Sequence, residues 1–198
     1  MADAKDCTLG DWTDMLASSS PVPGGGGVGA LLGVLSACLA SMVGTLTVGK
    51  KSYEAFALEC EKLNERTKKH LDHMLALIDE DARAFEMLMK SWKSQATDRD
   101  YAEASAPSAA VVFEVVSVLD ILGILKEKGN RNVLSDVGIG ACCAGAALEA
   151  CRLNILVNLR YIESAEHRKD LETLLDTLIP EGIKRASDIR KQVEKELE

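Results

Sequence analysis

Three acidic residues, Asp79, Glu80 and Asp81, follow an apolar run, and one of them falls on a helix face that should be buried. Asp81 lies three positions after Ile78 and four before Phe85, so the three side chains share one helical face. A carboxylate on an apolar face is either paired with a buried cation or acts as an acid or base with an environment-shifted pKa. Asp81 is therefore a candidate catalytic residue, whereas Asp79 and Glu80 are interpreted as solvated.

A second polar group surrounds a predicted helix start and comprises Asn130, Asn132, Ser135 and Asp136. Helix capping is a sufficient explanation for Ser135 and Asp136. Ligand binding is the alternative explanation for the same four residues. The sequence pattern is compatible with both helix capping and ligand binding.

Asn154 and Asn158 are four positions apart within an otherwise apolar stretch. They therefore lie on one helical face, and buried amides need hydrogen-bond partners. This spacing indicates either an internal polar network or a ligand-binding surface.

The basic pair Lys50 and Lys51 ends a long uncharged stretch. Lysines at this position are explained by their favourable interaction with the negative end of the helix dipole. Alternatively, they could supply a cation at the mouth of a pocket.

His70 and His73 are three positions apart and could share a metal ion. Without a cysteine or carboxylate at ligand spacing they are interpreted as exposed, and no metal site is predicted.

Four consecutive glycines, Gly24 to Gly27, follow Pro21-Val22-Pro23. Gly24, Gly26 and Gly29 match the G-x-G-x-x-G pattern, but a dinucleotide site also needs a preceding strand and a βαβ unit. The glycines are expected to break regular structure and to leave backbone N–H groups free at the next helix start. Those groups could hold an anion or a polar ligand edge, or the segment could be a tight turn without a ligand.

The elements that must position these residues are predicted to be helices. Residues 28–49 carry no charge and no proline and are predicted to form one helix enclosed on all sides. Amphipathic helices are expected over about residues 52–93 and 166–197, the latter bent at Pro180. Residues 97–100 are expected to form a loop, residues 101–128 a helix kinked or opened at Pro107, and residues 135–162 a second small-residue helix. A short helix is expected after Thr8, its N-cap. The fold class is therefore an all-α bundle, in which amphipathic helices wrap two buried small-residue helices, and residues 1–198 are expected to form one domain.

A stripe of small residues runs along the first uncharged helix, at positions 29, 33, 37, 41 and 44. Such a stripe lets a neighbouring backbone approach closely. A monomer of 198 residues has little surface with which to enclose two nearly uncharged helices. We therefore expect the small-residue faces to help build a two-fold homodimer interface.

The composition narrows the class of protein. A net charge of −8 argues against a nucleic-acid partner, which requires a basic surface. The six cysteines show no CxxC pair, and four of them lie in apolar runs, as expected in a reducing compartment. Neither a basic n-region nor an apolar h-region is visible at the N-terminus, so a cytoplasmic location is predicted.

The uncharged run over residues 28–49 is long enough to span a membrane. It is rich in Gly, Ser, Thr and Ala rather than in Leu and Phe, and no second run of equal length is apparent. A buried helix of a soluble protein is therefore the preferred interpretation, with no membrane contact.

Four groups of residues together resemble a known family. They are Pro21–Gly26, the segment from Ser41-Met42-Val43 to Gly49-Lys50-Lys51, residues 79–85 (Asp-Glu-Asp-Ala-Arg-Ala-Phe), and Ser135-Asp136-Val137-Gly138 with Asn154-Ile155-Leu156-Val157-Asn158-Leu159. In this order they are similar to the cyclodeaminase/cyclohydrolase family. That family includes formiminotetrahydrofolate cyclodeaminase domains and stand-alone methenyltetrahydrofolate cyclohydrolases. One departure is Gly27, because the family often has serine there.

The resemblance implies an all-helical, dimeric enzyme of one-carbon folate metabolism that uses no metal or organic cofactor. Under this interpretation the site contains two groups of residues. The expected catalytic residues are Asp81, Asp136, Lys50 and Lys51. The expected substrate-binding residues are Pro23, Gly24, Gly25, Gly26, Asn132, Ser135, Asn154 and Asn158. Both groups are expected to meet in one cleft.

The resemblance leaves two reactions open. In the cyclohydrolase, water attacks the methenyl carbon of 5,10-methenyltetrahydrofolate and gives 10-formyltetrahydrofolate. In the cyclodeaminase, N10 attacks the formimino carbon on N5 and ammonia leaves. The cyclohydrolase is preferred, since no formiminotransferase segment is present. A non-catalytic helical scaffold or ligand-binding dimer is the alternative class, and a small membrane-associated helical protein is a third.

Overall fold

The computed structural model describes residues 3–198, and every regular element in that part of the chain is helical. The α-helices are α1 (Leu9–Leu16), α2 (Gly25–Thr45), α3 (Ala57–Ser91), α4 (Asp98–Lys128), α5 (Leu134–Leu159), α6 (Ala165–Thr173) and α7 (Ile179–Leu197). Short 3₁₀ turns cover Ala4–Asp6, Lys51–Phe56, Trp92–Ser94 and Arg131–Val133, and a π-helical turn covers Leu174–Leu178. The prediction of an all-α fold is confirmed.

Helix α2 packs antiparallel against α3. Its first turn lies against the second half of α3, because a Cβ on Gly26 would meet Asp81, and its last turn lies against the first half, because a Cβ on Gly44 would meet Asn64. The glycines thus allow the two helices to approach closely along their whole shared length. This register places Asp81 at the start of α2.

Helix α5 is antiparallel to both α2 and α4. A Cβ on Gly29 would lie 3.2 Å from the Cys151 sulfur, and Ser108 of α4 contacts Asn154 near the end of α5. The starts of α2 and α4 therefore meet the later parts of α3 and α5 at one end of the bundle. That end holds the cavity described below.

The glycine segment does not break the helix as the sequence led us to expect. Gly24 is the N-cap residue in an extended conformation, and α2 begins at Gly25, so three of the four glycines are helical. Glycine is a poor helix former. Here the missing Cβ atoms let the Asp81 carboxylate reach the helix start, where it accepts a hydrogen bond from the Gly27 N–H. This contact stabilises the N-terminus of α2 and offsets part of the conformational cost.

Two other predicted helix starts are wrong. The expected loop over residues 97–100 is the start of α4, where Thr97 and Asp100 form a capping box. Ser135 and Asp136 lie inside the first turn of α5, whose N-cap is Val133, and neither caps it. A capping box sets the start of α4, whereas the N-cap of α5 makes no side-chain hydrogen bond.

Pro107 and Pro180 lie in different types of local backbone structure. Pro107 lies within the single helix α4, which continues on both sides of it. The predicted last helix is instead two helices, α6 and α7, joined by the π-helical turn, and Pro180 is in the first turn of α7. The irregular turn leaves room for a residue that cannot donate a backbone hydrogen bond.

Helices α2 and α5 are not enclosed on all sides by this chain. Their small residues face the interior, where Gly29 meets α5, Gly33 meets Met74 and Val115, and Gly138 meets Val193. Their opposite faces carry larger apolar side chains that remain exposed: Leu35, Met42, Ile139, Leu153 and Val157. The uncovered face is thus not the small-residue stripe that the sequence suggested.

By length and composition, α2, α4 and the segment Arg131–Leu159 are each apolar enough to cross a membrane. The expectation that no second such run exists is therefore wrong. About half of each window is buried within the chain, 56%, 50% and 44% respectively. Freedom from membrane contact and a cytoplasmic location stay predictions.

Candidate active site

A cavity of about 270 Å³ opens at the end of the bundle where α2 and α4 begin. Its wall combines backbone amides, one carboxylate, two side-chain amides and an apolar side. The lining residues are Pro21, Val22, Gly24, Gly25, Gly26, Asp81, Phe85, Ala104, Asn154, Val157 and Asn158. The structure therefore brings together Gly24–Gly26, Asp81, Asn154 and Asn158 from the predicted site.

The start of α2 supplies hydrogen-bond donors to this cavity. The first intrahelical bond runs from the Val28 N–H to the Gly24 carbonyl, so the amides of Gly25, Gly26 and Gly27 have no helical acceptor. Gly27 donates to Asp81, while Gly25 and Gly26 line the cavity. The positive end of the helix dipole reinforces this arrangement.

Gly26 is the position where α2 and Asp81 approach most closely. A Cβ at this residue would lie 1.9 Å from the nearer carboxylate oxygen of Asp81 and 2.4 Å from its carboxyl carbon. Real Cβ atoms do not approach other atoms so closely, so any side chain here would displace the carboxylate. Gly26 thus sets the place of Asp81 in the cavity wall.

Asp81 is buried, with only 8% of its surface exposed. Burial raises the pKa of Asp81 from an ordinary 3.8 to about 6, and hydrogen bonds from Gly27 and Asn154 partly oppose the effect. No cation pairs with it, so the sequence alternative of a buried ion pair finds no support among the described residues. A carboxyl group that titrates near 6 can accept or release a proton close to neutral pH.

The amide of Asn154 connects Asp81 to α4. Its Nδ2 atom donates to Ser108 Oγ at 2.9 Å and lies 3.5 Å from Asp81 Oδ1. Asn158, one turn later, is 9% exposed and lines the same cavity. Of the two interpretations of these asparagines, the structure thus supports both, because Asn154 belongs to a polar network that also faces a cavity.

The lining also has an apolar part, which includes Phe85, Ala104 and Val157. Phe85 also makes an edge-to-face contact with Trp92, with ring centroids 5.8 Å apart. A carboxylate and amide groups facing an apolar wall can bind a flat heterocyclic ring by its polar edge and its faces.

The remaining predicted residues lie at the other end of the bundle. Lys50 and Lys51 follow the end of α2, while Asn132, Ser135 and Asp136 are at the start of α5. The loop before α5 is fixed to the end of α2 by two bonds, from Asn130 N to Thr47 Oγ1 and from Asn130 Nδ2 to the Leu46 carbonyl. Since α2 has 21 residues, the two ends are separated by about 30 Å. Within one chain the predicted site residues therefore fall into two groups, one at each end of the bundle, and their meeting in one cleft stays a prediction.

Pro23 and Gly27 do not have the surroundings that the sequence suggested for a substrate-binding segment. Pro23 is buried and does not line the cavity, and the Val22–Pro23 peptide bond is cis. A Cβ on Gly27 would meet Pro23, Ile78 and Trp12 at ordinary contact distances of 3.7 to 3.9 Å. A serine at this position would therefore point at apolar side chains and not into the cavity.

The histidines and Asp79 lie away from the cavity. His70 Nδ1 is 2.5 Å from Glu114 Oε2, and His73 Nδ1 is 2.9 Å from Glu114 Oε1. His73 is exposed and His70 is half-buried, so the prediction of two exposed histidines is only partly correct. Asp79 accepts the Ala4 N–H beside an open cavity of about 360 Å³. No group of three or more His, Cys, Asp or Glu residues in the described part of the chain is arranged to hold a metal ion.

Ser108 and Phe85 are functional candidates that the sequence analysis missed. In the sequence, Phe85 marks the buried face of α3 and ends the motif over residues 79–85, but neither pattern assigns it to a site. Ser108 gave no signal, because a serine following Pro107 is ordinary in a helix. Only the contact between α4 and α5 identifies it.

The sequence and the fold match known proteins. The profile of the formiminotransferase-cyclodeaminase family matches residues 8–177. The chain is 34% identical to a methenyltetrahydrofolate cyclohydrolase of Methylorubrum extorquens, over 85% of this chain and 88% of that protein. It is 26% identical to a formimidoyltransferase-cyclodeaminase of Gallus gallus, over 88% of this chain and 34% of that protein.

A solved structure also matches. The crystal structure of formiminotetrahydrofolate cyclodeaminase from Thermotoga maritima superposes with a TM-score of 0.88 at 29% identity, covering 96% of this chain and 98% of that chain. The all-helical fold is therefore that of a known class of enzymes. The chain belongs to the formiminotransferase-cyclodeaminase family.

Proposed function

We propose that this protein is a one-carbon tetrahydrofolate enzyme that acts at the N5–C–N10 bridge and hydrolyses 5,10-methenyltetrahydrofolate to 10-formyltetrahydrofolate. The observation that carries the proposal is the buried Asp81 carboxylate, which faces a cavity lined by two asparagines and free helix amides. The relative named as a cyclohydrolase matches over 88% of its own length, which supports this reaction.

The proposed chemistry follows from the charge of the substrate. The methenyl bridge is part of a delocalised cation, and an ionised Asp81 would stabilise it and accept a proton from the attacking water. The water oxygen bonds to the bridge carbon, the bond from that carbon to N5 breaks, and N5 keeps the electron pair and is protonated. The formyl group stays on N10, and one proton is released overall. The substrate itself supplies the electrophile, so the proposed reaction needs no metal or organic cofactor.

The alternative reaction is formiminotetrahydrofolate cyclodeamination. It is supported by the likeness to the Thermotoga maritima cyclodeaminase, which spans nearly the whole of both chains. Both reactions pass through a tetrahedral carbon between two nitrogens, so the same carboxylate can serve either one. A non-catalytic ligand-binding dimer is the further alternative.

We expect an absorbance assay at the methenyl-folate band to decide between these reactions. Purified protein should remove the band of 5,10-methenyltetrahydrofolate at least 100-fold faster than buffer does, a modest acceleration for an enzyme. 5-Formiminotetrahydrofolate, offered separately, should not generate the band.

The control for this assay is heat-inactivated protein. Appearance of the methenyl band from the formimino substrate would assign the cyclodeaminase reaction instead. If neither substrate is turned over, the proposal of a folate enzyme fails.

The proposal includes a homodimer formed through the uncovered face of α2 and α5. Leu35 on α2 is 46% exposed and Ile139 on α5 is 52% exposed, and these helices pack side by side. Leu35, Cys38 and Met42 are spaced like one helical stripe, and all three are exposed. An apolar face of this length is typical of an interface with a second copy.

A two-fold axis across the middle of this stripe would also complete the site. It would lay the Gly24 end of each α2 beside the partner's Lys50 end, because the two copies of α2 would run antiparallel. Asp81 and Gly24–Gly26 of one protomer would then lie near the partner's Asp136 and the partner's Lys50. The family resemblance includes both groups of residues, which supports a composite site.

Subunit mixing tests the composite site. Asp81→Asn and Asp136→Asn homodimers should each lose most turnover. Subunits mixed by co-expression should recover about a quarter of wild-type activity, since half of the dimers are hybrids with one intact site.

Light scattering should report a dimer without detergent for both variants and for the mixture. The mixture staying as inactive as its parents, with hybrids shown to form, would place both carboxylates in the same protomer's site. A stable monomer at low micromolar concentration would remove the dimer altogether.

A further inference from the structure

Ser108 does not line the cavity, but it contacts a residue that lines it. It is 1% exposed on α4, and its Oγ accepts a hydrogen bond from Asn154 Nδ2 at 2.9 Å. The same nitrogen faces Asp81 Oδ1 at 3.5 Å. The amide nitrogen of Asn154 therefore has two acceptors for its two hydrogens, and both acceptors belong to the protein.

We propose that Ser108 is a positioning residue that fixes the side-chain amide of Asn154, with its nitrogen toward Asp81 and its oxygen toward the cavity. Without an acceptor at Ser108, the amide could turn over, because its two ends are nearly equal in size. The turned amide would place its oxygen beside the Asp81 carboxylate, where two acceptors repel each other. Ser108 Oγ and the Asp81 carboxylate, which can only accept, together hold the orientation in which Asn154 supports the charged carboxylate.

This orientation also sets what the cavity can bind. With its nitrogen committed to the protein, Asn154 presents only an acceptor oxygen to a ligand, which must bring an N–H donor to that point. The amides of Gly25 and Gly26 present donors on another side. The reduced pterin ring of a tetrahydrofolate carries both N–H donors and acceptors, so this part of the inference rests on the proposed function.

The groups facing Asp81 come from three helices. Helix α2 contributes the Gly27 amide, and α5 contributes Asn154 and the thiol of Cys151. Burial raises the pKa of Cys151 to about 12, with a smaller contribution from Asp81, so this thiol stays neutral. Helix α4 contributes Ser108, acting through Asn154. A change at Ser108 should thus reach Asp81 through one hydrogen bond and without a change of net charge.

A carboxyl titration without substrate tests the inference directly. The Asp81 carboxyl signal, identified by its loss in Asp81→Asn, is followed by ¹³C NMR against pH. Ser108→Ala should raise the pKa of Asp81 by about 0.5 to 1, because a hydrogen bond to the charged form is weakened. Ser108→Thr keeps the hydroxyl and should restore the wild-type value. Ser105→Ala is the matched control, since Ser105 is equally buried on α4 and donates to the Tyr101 carbonyl instead.

Kinetics give the second measurement. Ser108→Ala should raise KM for the folate substrate about 5-fold to 20-fold and move the acidic limb of kcat/KM to higher pH by the same amount as the NMR midpoint. Ser105→Ala should change neither. Should Ser108→Ala fail to fold by circular dichroism, Asn154→Ala removes the amide itself and should raise the pKa of Asp81 at least as much.

Two results would overturn the inference: an unchanged Asp81 midpoint in folded Ser108→Ala or Asn154→Ala, or an equal shift in Ser105→Ala. The titration uses no substrate, so it decides the role of Ser108 even if neither folate is turned over. Failure of the folate assay alone would instead count against the proposed function.

Discussion

Asp81→Asn should lower kcat by about 10²-fold to 10⁴-fold, the range typical of losing a general acid or base. Asparagine has the same shape but cannot exchange a proton or balance a cation. Wild-type kcat/KM should rise through a pH of about 6, where the buried carboxyl ionises. The pH–rate profile of the wild type and the residual rate of the variant measure both effects.

The same substitution should not weaken the fold. The pKa of Asp81 is raised above its ordinary value, so the native state binds the proton more tightly and stability falls as pH rises from 3.8 to about 6. Above that pH, ionised Asp81 destabilises the native state by up to about 3 kcal/mol. Asp81→Asn removes this cost, so its thermal midpoint at pH 8 should equal or exceed that of the wild type, and the difference should vanish below pH 4.

Circular dichroism melts at both pH values provide the control for the kinetic result. An inactive variant that is also unfolded at pH 8 would show only a structural role. A variant with wild-type kcat would remove Asp81 from the catalytic step, whatever its stability.

Gly26→Ala should abolish most activity while adding only one methyl group. Its Cβ would lie 1.9 Å from an Asp81 oxygen, so the carboxylate must rotate away from the Gly27 amide and the cavity. The expected loss in kcat approaches that of Asp81→Asn, about 10²-fold or more. Since the displaced atoms end a side chain that can rotate, the fold should persist.

A matched control is Gly145→Ala on α5, where the new Cβ would meet Ala186 at 3.4 Å, an ordinary contact away from the cavity. It should keep wild-type activity and gain about 0.5 to 1 kcal/mol from the better helix former. Steady-state kinetics and thermal melts on both variants give the comparison. Wild-type turnover in Gly26→Ala would show that the carboxylate need not stay at the start of α2.

The sequence located Asp81 because its spacing from Ile78 and Phe85 depends only on the helical repeat. Asn154 and Asn158 were found in the same way. Ser108 was not found, since a buried serine is identified by what lies across from it, and that requires the packing of α4 on α5. The sequence correctly predicted the Thr8 N-cap of α1, but not the starts at Thr97 and at the Gly25 turn that Asp81 caps.

The predicted site residues fall into two groups within one chain. The family resemblance implied one site that contains Lys50, Asp136 and Asp81. Helix length separates them by about 30 Å in one chain. A polar helix end is visible in the sequence, but which ends share a side of the bundle depends on helix direction, and hence on tertiary packing.

The amino-acid sequence by itself determined the helical class, the family resemblance and the buried position of Asp81, because these follow from periodicity and from local motifs. The tertiary structure decided which polar residues share a cavity, that Gly26 makes room for the carboxylate, and that Ser108 holds Asn154. It also left an apolar face of α2 and α5 uncovered. The physical reason is that a pattern along the chain fixes which face of a helix is apolar, whereas the neighbours of that face are fixed only by long-range packing.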